Sequence, residues 1–253
     1  MSKTYQRREF LAELAKIPCA TLLLGVTGPL KVLADDGEGG YDAAEHYYAM
    51  GIQLEKCIGC GKCVQACKTE NDVPEEPFYF RTWVERYVIY EDGDVQVDSP
   101  EGGINGFPPL DGEKKILRTF FVPKLCNHCD NPPCVQVCPV GATFRTPEGF
   151  VLIDHEHCIG CAYCVQACPY GARFINPVEH KSDKCDWCYH RVKAGKLPAC
   201  VTVCPNKARL FGDLNDPDSE VSEIFAEDQW MVLKPHMHTD PTCFYIGLPR
   251  EVI

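Results

Sequence analysis

Eighteen cysteines in 253 residues fall into a pattern that leaves few folds open. Sixteen of them form four quartets. These are Cys57, Cys60, Cys63 and Cys67; Cys126, Cys129, Cys134 and Cys138; Cys158, Cys161, Cys164 and Cys168; and Cys185, Cys188, Cys200 and Cys204. The first and third keep C-x2-C-x2-C-x3-C spacing, the second has two extra residues in the middle, and the fourth has a long central gap. "CIGCGKCVQACKTEN" at 57–71 and "CIGCAYCVQACPYGAR" at 158–173 are nearly the same text, so the chain carries an internal repeat with insertions. Only Cys19 and Cys243 stand outside it.

Three chemistries compete for such thiols. Disulfides need no repeated C-x2-C-x2-C run, and thiols crowded this tightly are hard to pair without strain. Structural zinc takes two separated C-x2-C pairs and has no use for three cysteines in one seven-residue loop. A cubane iron–sulfur cluster does use them, because each iron wants a thiolate and a tight loop serves three corners at once. The x3 gap sets the third and fourth cysteines one helical turn apart on one face, so the fourth thiol points away from its own loop and can reach a second cluster. Gly59 and Gly160 let the backbone lie close to the inorganic core and turn N–H groups toward sulfur. Pro139, Pro169 and Pro205 follow the fourth cysteine of three quartets, whereas the first ends in Lys68. Two quartets make one ferredoxin-like unit of two clusters, and four make two units. The expected fold class is therefore α+β, with four [4Fe-4S] clusters as cofactors and all sixteen cysteines as ligands of cluster iron.

The four motifs, in order and spacing over residues 50–212, resemble the four-cluster iron–sulfur subunits of respiratory complexes. These include the electron-transfer subunits of dimethyl sulfoxide, polysulfide, tetrathionate and arsenate reductases, and relatives encoded with formate-dependent nitrite reductase. The resemblance implies that the repeats pair outside-to-outside and inside-to-inside. One cluster then rests on Cys57, Cys60, Cys63 and Cys204, and its neighbour on Cys185, Cys188, Cys200 and Cys67. In the second unit, one rests on Cys126, Cys129, Cys134 and Cys168, and the other on Cys158, Cys161, Cys164 and Cys138. It implies partners as well: a multi-span quinone-interacting membrane subunit and a molybdopterin-type catalytic subunit. A sulfate-reducer type of complex with a cytochrome c or other redox partner is the alternative, and a free polyferredoxin or a zinc protein lies further off. The chain is expected to be no enzyme by itself, since no nucleophile–base pair, phosphate loop or carboxylate dyad stands out.

The organisation follows from that reading. Residues 50–67 and 181–212 form the first unit and 123–180 the second. Residues 68–122 are a partly β insertion, either a structural flap or a partner surface, and 213–253 an irregular tail wrapping the core. "ATFRTPEGFVLID" at 142–154 reads as a hairpin leading into the third quartet, and Asp92-Gly93 as a turn between strands of the insertion. Cys243 reads as a packed small side chain. His155, His157 and the "PHMH" at 235–238 read as a solvated face. His190, Arg191, Lys193 and Lys196, in the gap of the fourth quartet, offset cluster charge, meet a partner or are simply solvated.

Residues 1–34 contain paired Arg7 and Arg8, an apolar run from Ile17 to Leu30 and a small-residue site at Val32-Leu33-Ala34. This resembles a twin-arginine export signal, although Gln6 and Ala12 depart from its usual flanks. Cys19 would leave with it. The run is broken by Pro18, Gly25, Gly28 and Pro29 and falls short of the roughly 20 residues that a spanning helix needs. The expectation is a peripheral protein on the periplasmic face of the membrane. Lys and Arg total 25 against 36 Asp and Glu, a net charge of −11, which opposes nucleic-acid binding because phosphate would be repelled.

Overall fold

Each quartet ends on one or two turns of helix, and short strands carry the chain from one quartet to the next. In the computed structural model, residues 41–252 are described, apart from 76–78, 111, 113 and 228. The elements in chain order are β1 (Tyr48–Gln53), α1 (Lys62–Glu70), β2 (Thr82–Tyr90), β3 (Val95–Asp98) and β4 (Ile116–Leu125). Then come α2 (Pro133–Gln136), β5 (Thr143–Arg145), β6 (Val151–Ile153), α3 (Tyr163–Ala167), β7 (Arg173–Ile175) and β8 (Ser182–Lys184). The last are α4 (Tyr189–Lys193), α5 (Ala199–Thr202), β9 (Arg209–Asp213), α6 (Glu220–Glu227), β10 (Trp230–Met231) and β11 (Cys243–Ile246). Helices alternate with short, mostly antiparallel strands, as the α+β class leads one to expect.

The strands frame the cysteines. β1 leads into the first quartet and β9 leaves the fourth, and the two pair antiparallel, Met50 opposite Phe211. β5 leaves the second quartet and pairs antiparallel with β6, which leads into the third. β7 leaves the third and pairs with β8, which leads into the fourth. Helix α1 packs on α5, and α2 on α3. The helix of the first quartet thus lies on that of the fourth, and the second on the third.

The insertion is a three-stranded sheet in the order β3-β2-β4. Its Asp92-Gly93 turn is real: Gly93 has φ +89° and its N–H bonds Tyr90 O at 3.1 Å. The chain after 213 is more regular than its sequence suggests. It folds α6 and sets β11 parallel to β1, with Met50 opposite Cys243, in a sheet ordered β10-β11-β1-β9. The reason is burial: Cys243 and Tyr245 are fully enclosed and join Met50, Ile52, Leu125, Phe150, Trp187 and Phe211 in the main core. Among the described residues, no helix is long and apolar enough to cross a membrane.

Candidate iron–sulfur centres

One backbone choice recurs in all four C-x-x-C loops. The residue before the second cysteine is left-handed: Gly59 at φ +68°, His128 at +44°, Gly160 at +69° and Trp187 at +54°. That turn aims an amide back at the first sulfur. The Trp187 N–H donates to Cys185 Sγ at 3.4 Å, and the Gly59 N–H bonds Cys57. Glycine is required where neighbours crowd in, since a Cβ on Gly160 would meet His180 O at 2.2 Å. His128 and Trp187 bear the left-handed strain, about 1–2 kcal/mol each, and stack on one another with ring centroids 4.0 Å apart.

The proline after a quartet serves a second amide. In C-P-x-x-A, the alanine N–H returns to the fourth sulfur: Ala208 donates to Cys204 Sγ at 3.2 Å, Ala172 to Cys168 and Ala142 to Cys138. The first quartet solves the problem differently. Helix α1 runs on through Cys67 to Glu70, where proline would break it, and Lys68 instead ties its Nζ to Pro74 O and Tyr79 O. Asn71 then offers its side chain, with Nδ2 at 3.6 Å from both Cys67 Sγ and Cys188 Sγ and its Oδ1 accepting from Arg81. The departure at Lys68 has a structural cause.

The cysteines gather across quartets. Cys57, Cys60, Cys63 and Cys204 line one cavity together with Arg209. Cys67 lies within electrostatic reach of Cys188 and Cys200, and Cys185 of Cys67, Cys188 and Cys200. Cys129 faces Cys126, Cys134 and Cys168. Cys134 and Cys164 share a small apolar cluster beneath α2 and α3, with Ser182 Oγ 3.2 Å from Cys164 Sγ. Cys158 and Cys161 sit on the outer loop of that end, Cys161 exposed, and Cys138 is half-buried.

The site suits a clustered metal. All seventeen described cysteines are free. Burial pushes the thiols of Cys57 and Cys200 up to about 11 and of Cys129 to about 12, and holds Cys67 and Cys185 well above the ordinary value. Such thiols ionise at neutral pH only when a metal takes the proton's place. Cys138 moves the other way: burial would raise it, but the N–H groups of Thr143, Val140, Ala142 and Gly141 outweigh that and favour a thiolate. Among the described residues no three of His, Cys, Asp or Glu converge on a single-ion site. The guanidiniums of Arg209 and Arg173, 1% and 5% exposed, keep nitrogens without hydrogen-bond partners beside these sulfurs, as buried anions require.

Comparison with known proteins agrees. The family described as 4Fe-4S dicluster domain matches residues 56–142 and again 117–214. A tetrathionate reductase subunit of Salmonella typhimurium is 41% identical over 244 residues, 96% of this chain and 88% of that protein. The chain belongs to the four-cluster iron–sulfur electron-transfer subunits of oxidoreductase complexes. A tetrathionate reductase subunit of Archaeoglobus fulgidus is 47% identical over 201 residues, covering 79% of this chain and 82% of the relative. Protein NrfC of Escherichia coli is 40% identical over the same length, 79% and 80% of the two chains. Members of this family carry electrons and leave substrate chemistry to another subunit. Two dicluster domains give this one four [4Fe-4S] clusters.

The discounted residues have ordinary partners. His155 pairs with Glu179 at 3.0 Å and His157 with Asp154 at 2.7 Å. His190 and Arg191 both hold Glu70, at 2.9 and 2.8 Å. His236 lies within a single short turn and His238 caps it. Cys243 is a packed core side chain. Four residues near the sulfurs do not stand out from sequence: Asn71, His128, Arg173 and Arg209. The C-P-x-x-A-R text shared by Cys168–Arg173 and Cys204–Arg209 is the signal for two of them. The expected export signal and Cys19 lie outside the described residues.

Proposed function

We propose that the chain relays single electrons through its clusters in the order of the first, fourth, second and third quartets, between a catalytic subunit and a quinone-reactive membrane subunit. The exposure of the two end quartets carries this reading. Cys60 and Cys161 are exposed, beside Ile58 at 56% and Ile159 at 65% exposure. The second quartet's Cys126, Cys129 and Cys134 and the fourth quartet's Cys185, Cys188 and Cys200 are buried instead, with the His128–Trp187 stack between the two groups. An electron therefore has two surface points and an insulated interior. The chain itself makes and breaks no bond.

The crossed ligand sets are part of the proposal: Cys57, Cys60, Cys63 with Cys204; Cys185, Cys188, Cys200 with Cys67; Cys126, Cys129, Cys134 with Cys168; and Cys158, Cys161, Cys164 with Cys138. The packing of α1 on α5 and α2 on α3 supports them. Cys168→Ser should disturb the cluster of the second quartet and spare that of its own, read by anaerobic EPR and iron content. Loss of the third-quartet signal instead would end the crossed scheme.

Relatives named as subunits of tetrathionate and other reductases support a catalytic partner subunit, which we take to be of the molybdopterin type. The paired Arg7 and Arg8 support work on the periplasmic face after twin-arginine export. A complex purified through a tag on this chain should contain molybdenum or tungsten; haem c without either would favour the cytochrome-linked alternative. Arg7→Lys with Arg8→Lys should leave folded, cluster-loaded protein in the cytoplasm. Unchanged export would remove the signal and the location together.

A further inference from the structure

Arg173 and Arg209 occupy the same place in two copies of the repeat. Each stands five residues after the last cysteine of its quartet and opens a strand, β7 or β9. The second quartet has Thr143 at that position and the first has Asp72. Arg209 spends Nη2 on Thr82 Oγ1 at 2.8 Å, which leaves Nε and Nη1 without partners. Arg173 spends Nη1 on Thr143 Oγ1 at 3.3 Å, which leaves Nη2 without an oxygen partner and the guanidinium free to bond the Cys164 thiol. Among the described residues, neither forms an ion pair with a carboxylate. A guanidinium cannot discharge, and a buried charge costs several kcal/mol unless opposite charge meets it.

Sulfur supplies that charge, from cysteines of more than one quartet. Arg209 lines the cavity of Cys57, Cys60, Cys63 and Cys204 and also faces Cys200. Arg173 lies within electrostatic reach of Cys134, Cys126 and Cys164, of which Cys134 and Cys164 share one small buried cluster. Burial alone would lower both arginines, and the thiols more than reverse this. With the crossed ligand sets proposed above, on which this step rests, Cys57 and Cys63 belong to one cluster of the first unit and Cys200 to its neighbour. In the second unit, Cys126 and Cys134 belong to one and Cys164 to the other.

We propose that Arg209 and Arg173 are matched potential-setting residues, one inside each two-cluster unit, each holding a fixed positive charge between the two clusters so that both accept an electron more readily. Reduction adds negative charge to a buried site, and a cation in low dielectric stabilises that added charge. Because one charge serves two neighbours, the units are tuned as pairs rather than cluster by cluster.

The test is an anaerobic EPR redox titration of the full-length, cluster-loaded protein, with signals assigned by one cysteine-to-serine variant per quartet. Arg209→Met should lower the reduced-to-oxidised ratio of the Cys57 and Cys185 clusters about tenfold at a given potential, about 59 mV for a one-electron couple. The other two should stay in place, and Arg173→Met should give the mirror result. Four unchanged potentials, or four equal shifts, would overturn the proposal. A shift in one signal alone would overturn the placement between clusters, and the Cys168→Ser result then shows separately whether the crossed ligation fell with it. Should the methionine variants fail to load iron, Arg209→Lys and Arg173→Lys decide. Full loading with near-native potentials supports a role for charge; failure to load shows that only the shape of arginine is needed and sinks the idea.

Discussion

Positive φ at the third position of each C-x-x-C loop costs backbone energy and gains an amide aimed at sulfur. Gly160, at that position, and Gly141, in the turn after Cys138, separate the two requirements cleanly. Gly160 and Gly141 have nearly the same φ, +69° and +67°, but a Cβ at 160 would lie 2.2 Å from His180 O whereas one at 141 meets nothing within 4 Å. Gly141→Ala should therefore cost only the left-handed penalty, about 1–2 kcal/mol. Gly160→Ala must also move the backbone beside Cys161, and should lower both the melting temperature and the iron content further. Anaerobic thermal unfolding of the two variants side by side checks this; equal melting temperatures would contradict it. Asn71 makes a related point, replacing a turn amide by a side-chain amide 3.6 Å from two sulfurs.

At the level of elements, what distinguishes the quartets is how each leaves its last cysteine. Three leave through proline and a turn, while the first leaves along α1. Lys68→Pro would make the first quartet read like the others, yet it should destabilise the protein by about 3 kcal/mol, because position 68 lies inside a helix. It would also remove the Nζ bonds to Pro74 and Tyr79. A Lys68→Pro variant that melts with the wild type would show that α1 is dispensable. The His128–Trp187 stack fills the space where the second and fourth quartets meet, and Trp187 is 1% exposed. Trp187→Ala should cost about 3–5 kcal/mol through the cavity left behind, visible as a lower melting temperature with the ligand set intact.

Across the whole molecule, the cofactor sites and the apolar core are one structure. Cys126 and Cys185 belong to the main core with Met50, Phe150 and Tyr245, so metal binding and folding are coupled. Stripping iron with a chelator under reducing conditions should abolish near-UV circular dichroism and open the chain to protease, and iron with sulfide should restore both. An iron-free protein that keeps its protease resistance would show that the core stands without its clusters. Intact protein should hold about sixteen irons and release them in the same transition that exposes Trp187.

Much of this was legible from residue order because metal ligation is local. The C-x2-C-x2-C run, the helical turn carrying the fourth thiol, the hairpin at 142–154 and the turn at Asp92-Gly93 are each decided within about a dozen residues, and cysteine spacing alone separates a cubane from zinc or disulfides. What spacing does not contain is which distant surfaces meet. Strand β11 reads as tail because its order comes from lying parallel to β1, far away in the chain. Nothing in local order marks Trp187 and His128 as partners; the fold stacks them. Local order does not mark Arg173 and Arg209 either; burial beside thiols from more than one quartet gives them their significance. The sequence by itself determined the cofactor, since three closely spaced thiols in one loop suit a cubane and neither zinc nor a disulfide. The tertiary structure alone decided which charges and rings stand between the centres, since that depends on packing free energy summed over segments that no local pattern connects.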